Sequence, residues 1–549
     1  MPDSLITAPQ TIVTIYPFEG GSYTFSGATN GLLAVQTAKG LSNSVGTFTL
    51  QMAPGGPYGL NARPSWTDII TPMSLVVIGM ARGAYRQIVM VGIVNSIQED
   101  QSWVTNKGTQ RTITIQGVDF QYFFTLPNYY TLSFLGGVGA GAVAGQAELL
   151  GNLSNSQVDS SPDIFAAAWY KGIMAGPGSI MANLSFPVGA SRVPFYNMVG
   201  QYWEPYGGNI TIPFAAYYMM ADGAWYDKFM EIFPFPWYEF FITTAPSGYY
   251  PGTGTQDVAY IPPTTTFNLP GFAPAFPQII ARVNPLPWTP NPSGSTTNPQ
   301  LQMDQSRWSA LPNFTTSENS GISHTVAFSD AEVYNYFIIN PTIMTQLLGG
   351  SNSVVAPFVF TFAAWADTAS IHRYGYRPLI SELQWFADPA GVHAQSLTAG
   401  GGTFGDFQTL VANLALKQTS YYEPTPNMAS GQITIRLRPD ILPGTRFTFA
   451  PYKDSEQWQF YVEAVDHNYA FGDASTTTLQ LSRGLPVSAY ANTDLMLALH
   501  TGNAQRKNGA YSIGLPPGLG SPLQPVNMNN MQSIVTGIAP AYTTPQNGP

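Results

Sequence analysis

The sequence predicts a mainly β chain with α+β insertions: two small β-barrel or sandwich domains, a mixed middle region, and extended arms. Three observations carry that expectation. Runs alternating apolar and polar residues cluster in two stretches, 46–120 and 432–482, and alternation is the period of a half-buried strand. Turn residues separate the runs within each stretch. The chain has 549 residues, several times the roughly 150 of a typical single domain.

The first stretch contains four strand candidates. Gly46-Thr-Phe-Thr-Leu-Gln-Met52 puts Phe48, Leu50 and Met52 on one face. Leu75-Val-Val-Ile78 and Gln87-Ile-Val-Met-Val-Gly-Ile-Val94 are continuous apolar runs, and Arg111 to Phe120 alternates again around Ile113 and Ile115. Pro54-Gly-Gly-Pro57, Arg82-Gly83 and Asn106-Lys-Gly108 supply the turns. In the middle region, Phe214, Tyr218, Ala221, Trp225 and Phe229 recur at helical spacing, and Ile164 to Met174 is a second helix candidate. From Phe241 to about residue 300 the chain is rich in Pro, Gly and Thr, which predicts an arm without regular structure.

Strand character returns over Ser323–Asn340, and Phe407, Leu410, Val411 and Leu414 predict a helix over 406–419. The second alternating stretch is the clearest. Gln432-Ile-Thr-Ile-Arg-Leu-Arg438 precedes a Pro443-Gly444 turn; Arg446-Phe-Thr-Phe449, Gln459 to Val465 and Thr476 to Ser482 follow. Both stretches share one plan, a strand, a turn, an apolar strand, a strand ending in polar residues and a last strand, which points to an internal duplication. Beyond about 490 Gly, Pro, Asn and Gln dominate without period, and an extended tail is expected.

Composition narrows the function. Charged residues are only 9% and hydrophobic ones 44%, against about 25% charged in ordinary soluble domains. The longest nearly unbroken apolar run, Val354–Trp365, is far short of the roughly 20 residues of a spanning helix. A surface largely covered by partners is the remaining reading. With no Cys, disulfides, thiolate metal sites and thiol nucleophiles are excluded. No basic and apolar leader opens the sequence, so the sequons at Asn152, Asn183, Asn209 and Asn313 read as chance. A net charge of −10 with no basic cluster argues against gripping nucleic acid.

Catalytic patterns are scarce. The histidines His324, His372, His393, His467 and His500 form no local metal clip. Gly139-x-Gly141-x-x-Ala144 lacks the alternating strand and helix context of a dinucleotide turn. Glu231 and Glu239 are one acid pair among the many that 31 acidic residues produce. No catalytic, cofactor-binding or metal residue is assigned, and the chain is expected not to be an enzyme. The 30 Tyr and 11 Trp fit interface anchors.

Several segments resemble one family. Phe460-Tyr-Val-Glu-Ala-Val-Asp-His-Asn-Tyr469, Thr478-Leu-Gln-Leu-Ser-Arg-Gly-Leu-Pro486 and Pro439-Asp-Ile-Leu-Pro-Gly-Thr-Arg-Phe447 are similar to the second tube domain of the tail baseplate hub proteins of contractile-tailed phages and related injection machines. Gly46–Met52, Trp66–Ile70, Met90–Val94 and Ile115–Phe120 resemble the first tube domain, and Ile371–Leu379 resembles the start of the helical insertion. The resemblance implies a first tube-type β domain over 1–130, a mixed middle region with a Pro-rich arm over 131–320, a split second tube-type domain over 321–366 and 430–490, a helical insertion over 367–429, and a tail over 491–549. It implies a homotrimeric ring that adapts a sixfold tail tube to a threefold central spike. The tail tube protein, spike, baseplate wedge proteins and tape measure protein would be its partners. DNA would pass through the lumen without specific binding. The chain would reside in the virion's tail baseplate, assembled in the host cytoplasm, without a membrane anchor or cofactor. Phe48, Leu50, Tyr461, Val462, Glu463, His467 and Arg483 are the assembly or structural residues expected. The alternative is another virion component, a receptor-binding or fibre-attachment protein.

Overall fold

The structure, a computed structural model, describes residues 8–27, 31–41, 45–57, 64–104, 108–126, 183–189, 191–203, 238–246, 259–286, 288–295, 298–303, 305–316, 321–341, 364–383, 420–451, 456–500, 504–507, 510–513 and 523–526, with a few isolated positions besides. Its main feature is one 13-stranded sheet that takes strands from both alternating stretches. The first unit contributes β1 (Gln10–Tyr16), β2 (Tyr23–Ser26), β3 (Leu32–Gly40), β4 (Thr47–Met52), β5 (Leu75–Arg82), β6 (Tyr85–Val104) and β7 (Gly108–Asp119). They lie in the order β3-β4-β7-β6-β5-β1-β2. The second unit contributes the strands Gly321–Ala327, Ala429–Arg436, Trp458–Ala470 and Thr476–Pro486, with Arg446–Phe449 and Asn313–Thr315 branching from the edge of Trp458–Ala470.

The two units repeat one strand plan. In the first, β3-β4-β7-β6-β5 pair antiparallel in that order. In the second, Gly321–Ala327, Ala429–Arg436, Thr476–Pro486, Trp458–Ala470 and Arg446–Phe449 do the same. Two of the irregularities recur as well. β3 skips Leu33 between the pairs Leu32↔Met52 and Ala34↔Gln51, and the second unit skips Ile322 between Gly321↔Ile435 and Ser323↔Thr434. β6 skips Asn95 between Val94↔Gly117 and Ser96↔Gln116, and Trp458–Ala470 skips Glu463 between Val462↔Leu481 and Ala464↔Gln480. A β-bulge inserts one unpaired residue and bends its strand. Two matched bulges in matched strands make the duplication a structural fact. Leu50 and Met52 of β4 thereby correspond to Ile433 and Ile435, all four buried.

The units meet edge to edge. Trp458–Tyr461 pairs with Phe449–Arg446, and beyond the bulge the same edge of the strand pairs with β3, from Ala464↔Gly40 to Ala470↔Ala34. Each unit packs its own core: Val35, Leu50, Val76, Met90 and Ile115 in the first, Ile433, Phe447, Phe460 and Leu479 in the second. A third cluster, with Tyr202, Phe241, Ile280, Trp308, Tyr461 and Met496, joins the second unit to the middle region.

Several expectations need correction. The Pro-rich stretch is not an irregular arm. Ala275–Val283 pairs antiparallel with Tyr238–Pro246 at the centre of a four-stranded sheet with Gly200–Trp203 and Ala259–Ile261. Phe276, Ile279 and Ile280 supply the buried side chains that offset the loss of ladder bonds at Pro277. The expected strand Ser323–Asn340 is two strands in different sheets: Tyr336–Pro341 pairs with Ala364–Asp367 and Pro378–Leu383, so neither 336–341 nor 364–366 belongs to the second unit. The described residues between 491 and 513 are not an extended tail. Val487–Ala491 and Thr493–His500 are helices, followed by the hairpin Ala504–Lys507/Ala510–Ile513; Met496 and Leu499 are buried in the third cluster, which holds the helix in place. In the insertion, Thr368–Tyr374 is a helix capped by the Asp367 side chain accepting from the Ser370 amide. The helices expected over 164–174, 214–229 and 406–419 lie almost wholly outside the described residues.

Candidate functional site

The candidate site is the junction of the two units and the middle-region sheet packed on it. Tyr238–Pro246 lies across both units and touches each through polar groups. The Val91 amide of β6 donates to Thr244 Oγ1 at 3.2 Å, and the Ile242 amide donates to Gln121 Oε1 at 3.2 Å. On the second unit, Arg282 Nε donates to Glu239 Oε2 at 2.7 Å, and its Nη2 donates to Tyr461 Oη at 2.8 Å and the Gly444 carbonyl at 3.0 Å. Tyr461 donates in turn to Glu239 Oε1 at 2.5 Å. Glu239, Arg282 and Tyr461 are all buried, so each charge depends on the other for compensation. Burial raises the Tyr461 hydroxyl well above its ordinary range, which keeps it a donor.

At the seam itself, Lys39 of β3 donates to Thr244 Oγ1 at 3.0 Å and stands 4.0 Å from Asp119 Oδ2. Burial lowers Lys39 to about 8 and raises Asp119 to about 6, their mutual attraction opposing both shifts. Asp119 is held by the Gln121 amide at 3.0 Å. Across the seam, His467 Nδ1 pairs with Thr477 Oγ1 at 2.9 Å, and the Arg438 amide donates to the same hydroxyl at 2.8 Å. Burial first, then the charge of Lys39, lowers His467 to about 3, and burial lowers His500, whose Nδ1 donates to the Ser420 carbonyl, to about 3.

Both histidines are therefore neutral in the folded chain. Their depressed values contribute stability that is fully present above the unfolded value of about 6.5 and is lost as pH falls toward 3. Each should contribute about 2 kcal/mol to the stability lost between pH 8 and pH 5. Denaturant midpoints of the wild type and of His467→Asn at the two pH values check this. The pH-dependent loss should shrink by about that amount in the variant.

A cavity of about 490 Å3 opens beside the seam, lined among others by Glu332, Tyr421, Tyr422, Glu463 and Arg483. Arg483 has a left-handed backbone, φ 57°, uncommon for a residue with a Cβ. Its Nη1 donates to the Tyr421 carbonyl at 2.7 Å, its guanidinium stacks 3.7 Å from the Tyr421 ring centre, and Tyr490 Oη donates to its carbonyl. Glu463, the bulged residue, accepts from Ser482 Oγ. Burial raises the Glu463 carboxyl; the Ser482 hydrogen bond and the Arg483 charge pull it back.

Of the residues singled out in the sequence, Phe48, Leu50 and Val462 are core side chains. Tyr461 and His467 are in the clamp and at the seam, and Glu463 and Arg483 line the cavity. Lys39, Asp119, Gln121, Thr244 and Arg282 were not legible, since their partners lie far off in sequence and no local spacing marks them. Glu239 stood out only as half of an acid pair; its partner is a cation one strand away. His372 is exposed on the Thr368–Tyr374 helix. Among the described residues no group of three or more His, Cys, Asp or Glu is placed to hold a metal ion, and no helix is long and apolar enough to cross a membrane.

No family model and no curated protein matches the chain. Among solved structures it is similar to a tail protein from Neisseria meningitidis MC58, at 10% identity over 86% of this chain and 96% of that one, with a TM-score of 0.36. It is similar to the 43 kDa tail protein of prophage MuSo2 from Shewanella oneidensis, at 12% identity over 86% and 98%, TM-score 0.36. A third is the E. coli c3393 protein, a type VI secretion component described as similar to the T4 tail proteins gp27 and gp5, at 7% identity over 83% and 74%, TM-score 0.33.

Proposed function

We propose that the chain is a structural, non-enzymatic part of a phage-type tail, acting as a baseplate hub: a homotrimeric ring between a sixfold tube and a threefold spike. The observation that carries this reading is the repeated five-strand unit, joined to its own copy edge to edge within one chain. Two equivalent units per chain turn three copies into six near-equivalent positions, which is what matching threefold to sixfold symmetry requires. The partners of such a ring come from the resemblance in 439–486 and 46–120. The low charge content agrees with a surface covered on several sides, and the net charge of −10 suits a channel that lets DNA pass without holding it.

Native mass spectrometry and negative-stain imaging test this. The expected mass is three times 59.4 kDa, in particles with a central opening. A monomer at every concentration tried would overturn the ring.

A further inference from the structure

The cavity of about 490 Å3 beside the seam is of small-molecule size, since such sites run from about 300 to 1,000 Å3. Three tyrosines line one side of it. The Tyr334 and Tyr421 ring centres each lie 5.0 Å from that of Tyr422, with their planes nearly perpendicular to it, at 78° and 79°. Two carboxylates sit at different depths. Glu463 is half-buried at the bulge of Trp458–Ala470, and Glu332 is exposed at the mouth. Glu463 accepts from Ser482 through Oε1, and among the described residues no group donates to its Oε2. Arg483 is the cation in the wall, but its Nη1 donates to the Tyr421 carbonyl and Thr425 Oγ1 while its guanidinium covers the Tyr421 ring. Among the described residues neither Glu463 nor Glu332 is in an ion pair.

The cavity thus sets two acids against one cation that is already engaged. Carboxylates bordering a partly dry space attract a cation more strongly than they do in water, and aromatic walls add the pull of their ring faces. An acceptor oxygen selects a cation that can donate a proton to it, which an ammonium does. Two such acceptors at different depths select a ligand with an ammonium at each end. We infer that this cavity binds a linear alkyldiamine, with one ammonium on Glu463 inside, the other on Glu332 at the mouth, and the alkyl chain along Tyr334 and Tyr422. Binding is linked to protons. Burial raises the Glu463 carboxyl and Glu239 and Glu332 add to the rise, whereas the Ser482 hydrogen bond and Arg483 pull it back. Tyr421 and Tyr461, the other titratable groups near it, are neutral phenols. The diamine takes the ionised carboxylate, so affinity falls as pH is lowered, starting above the pH at which an ordinary carboxylate gains its proton.

Isothermal titration calorimetry of the full chain with a series of linear diamines, from diaminopropane to diaminohexane at fixed ionic strength, tests this. The best of them should bind at one site per chain, about tenfold more tightly than the monoamine of the same length. Glu463→Gln keeps the acceptor for Ser482 and should weaken binding about tenfold. Glu332→Gln, at an exposed position, should weaken it severalfold. Asp473→Asn, at an exposed acid outside the cavity lining, should leave it unchanged, which separates the site from the general pull of a net charge of −10. Lowering the pH should weaken binding to the wild type more than to Glu463→Gln. No saturable binding by any diamine of the series would overturn the site. Equal affinity for the monoamine would overturn the two-ended pose, and unchanged affinity in both Glu variants would overturn the cavity as the place of binding.

Discussion

Arg282→Met should cost about 3–5 kcal/mol of stability, the largest single loss expected in this chain. Among the described residues the guanidinium is the one cation bonded to Glu239 in the buried clamp, and it also donates to Tyr461 and the Gly444 carbonyl. Its removal leaves a carboxylate with no compensating charge and an acceptor carbonyl short of a donor. The middle-region sheet is held to the second unit through this clamp, so its strands should lose amide-exchange protection first. Adding Glu239→Leu removes the stranded charge and should recover more than half of the loss, because an apolar pair of similar volume is tolerated where half an ion pair is not. Guanidinium unfolding followed by tryptophan fluorescence gives both values. A single-variant loss below about 1 kcal/mol would mean that water reaches the clamp.

Gly117→Ala should cost about 3 kcal/mol, at the upper end for one added methyl group. A Cβ on Gly117 of β7 would stand 2.1 Å from Phe48 Cζ and 2.3 Å from the Ile93 carbonyl oxygen. The second neighbour is backbone inside the ladder and cannot swing aside. Phe48 also lies 3.0 Å from where a Cβ on Gly92 would be, so its ring rests across a glycine on each of two strands. In a Phe48→Ala background the same substitution should cost clearly less than alone, since the two share one contact. Equal costs in both backgrounds would place the whole conflict at the Ile93 carbonyl.

How much of this was legible follows from what alternation can encode. Strands with one wet face announced themselves: β4 through Phe48, Leu50 and Met52, and Ala429–Arg436 through Ile433 and Ile435. β5 is buried along its whole length, and only its apolar run marked it. β1 and β3 passed unseen because Gln10–Tyr16 and Leu32–Gly40 mix Thr, Gln and Lys into buried positions such as Thr11, Thr37 and Lys39. The duplication showed only in plan, since the shared property is the site of each bulge and not the residue in it, Leu33 against Ile322 and Asn95 against Glu463. The clamp and the seam were beyond reach, because Glu239 meets Tyr461 only once both sheets are built. The Pro-rich stretch departs from the arm its proline content predicts because the Phe276, Ile279 and Ile280 side chains bury its strand.

The seam also sets a timetable for biosynthesis. β3 and its partner Ala464–Ala470 are separated by about 430 residues, roughly 20 to 90 seconds of elongation on the ribosome at common rates. Through that interval the first unit can assemble β1 to β7, yet the outer edge of β3 faces solvent with no mate. A neighbouring nascent chain on the same message would carry an identical unfinished edge. Burst-like translation of this gene should therefore favour strand-swapped aggregates, and slow, well-spaced ribosomes should favour correctly closed chains.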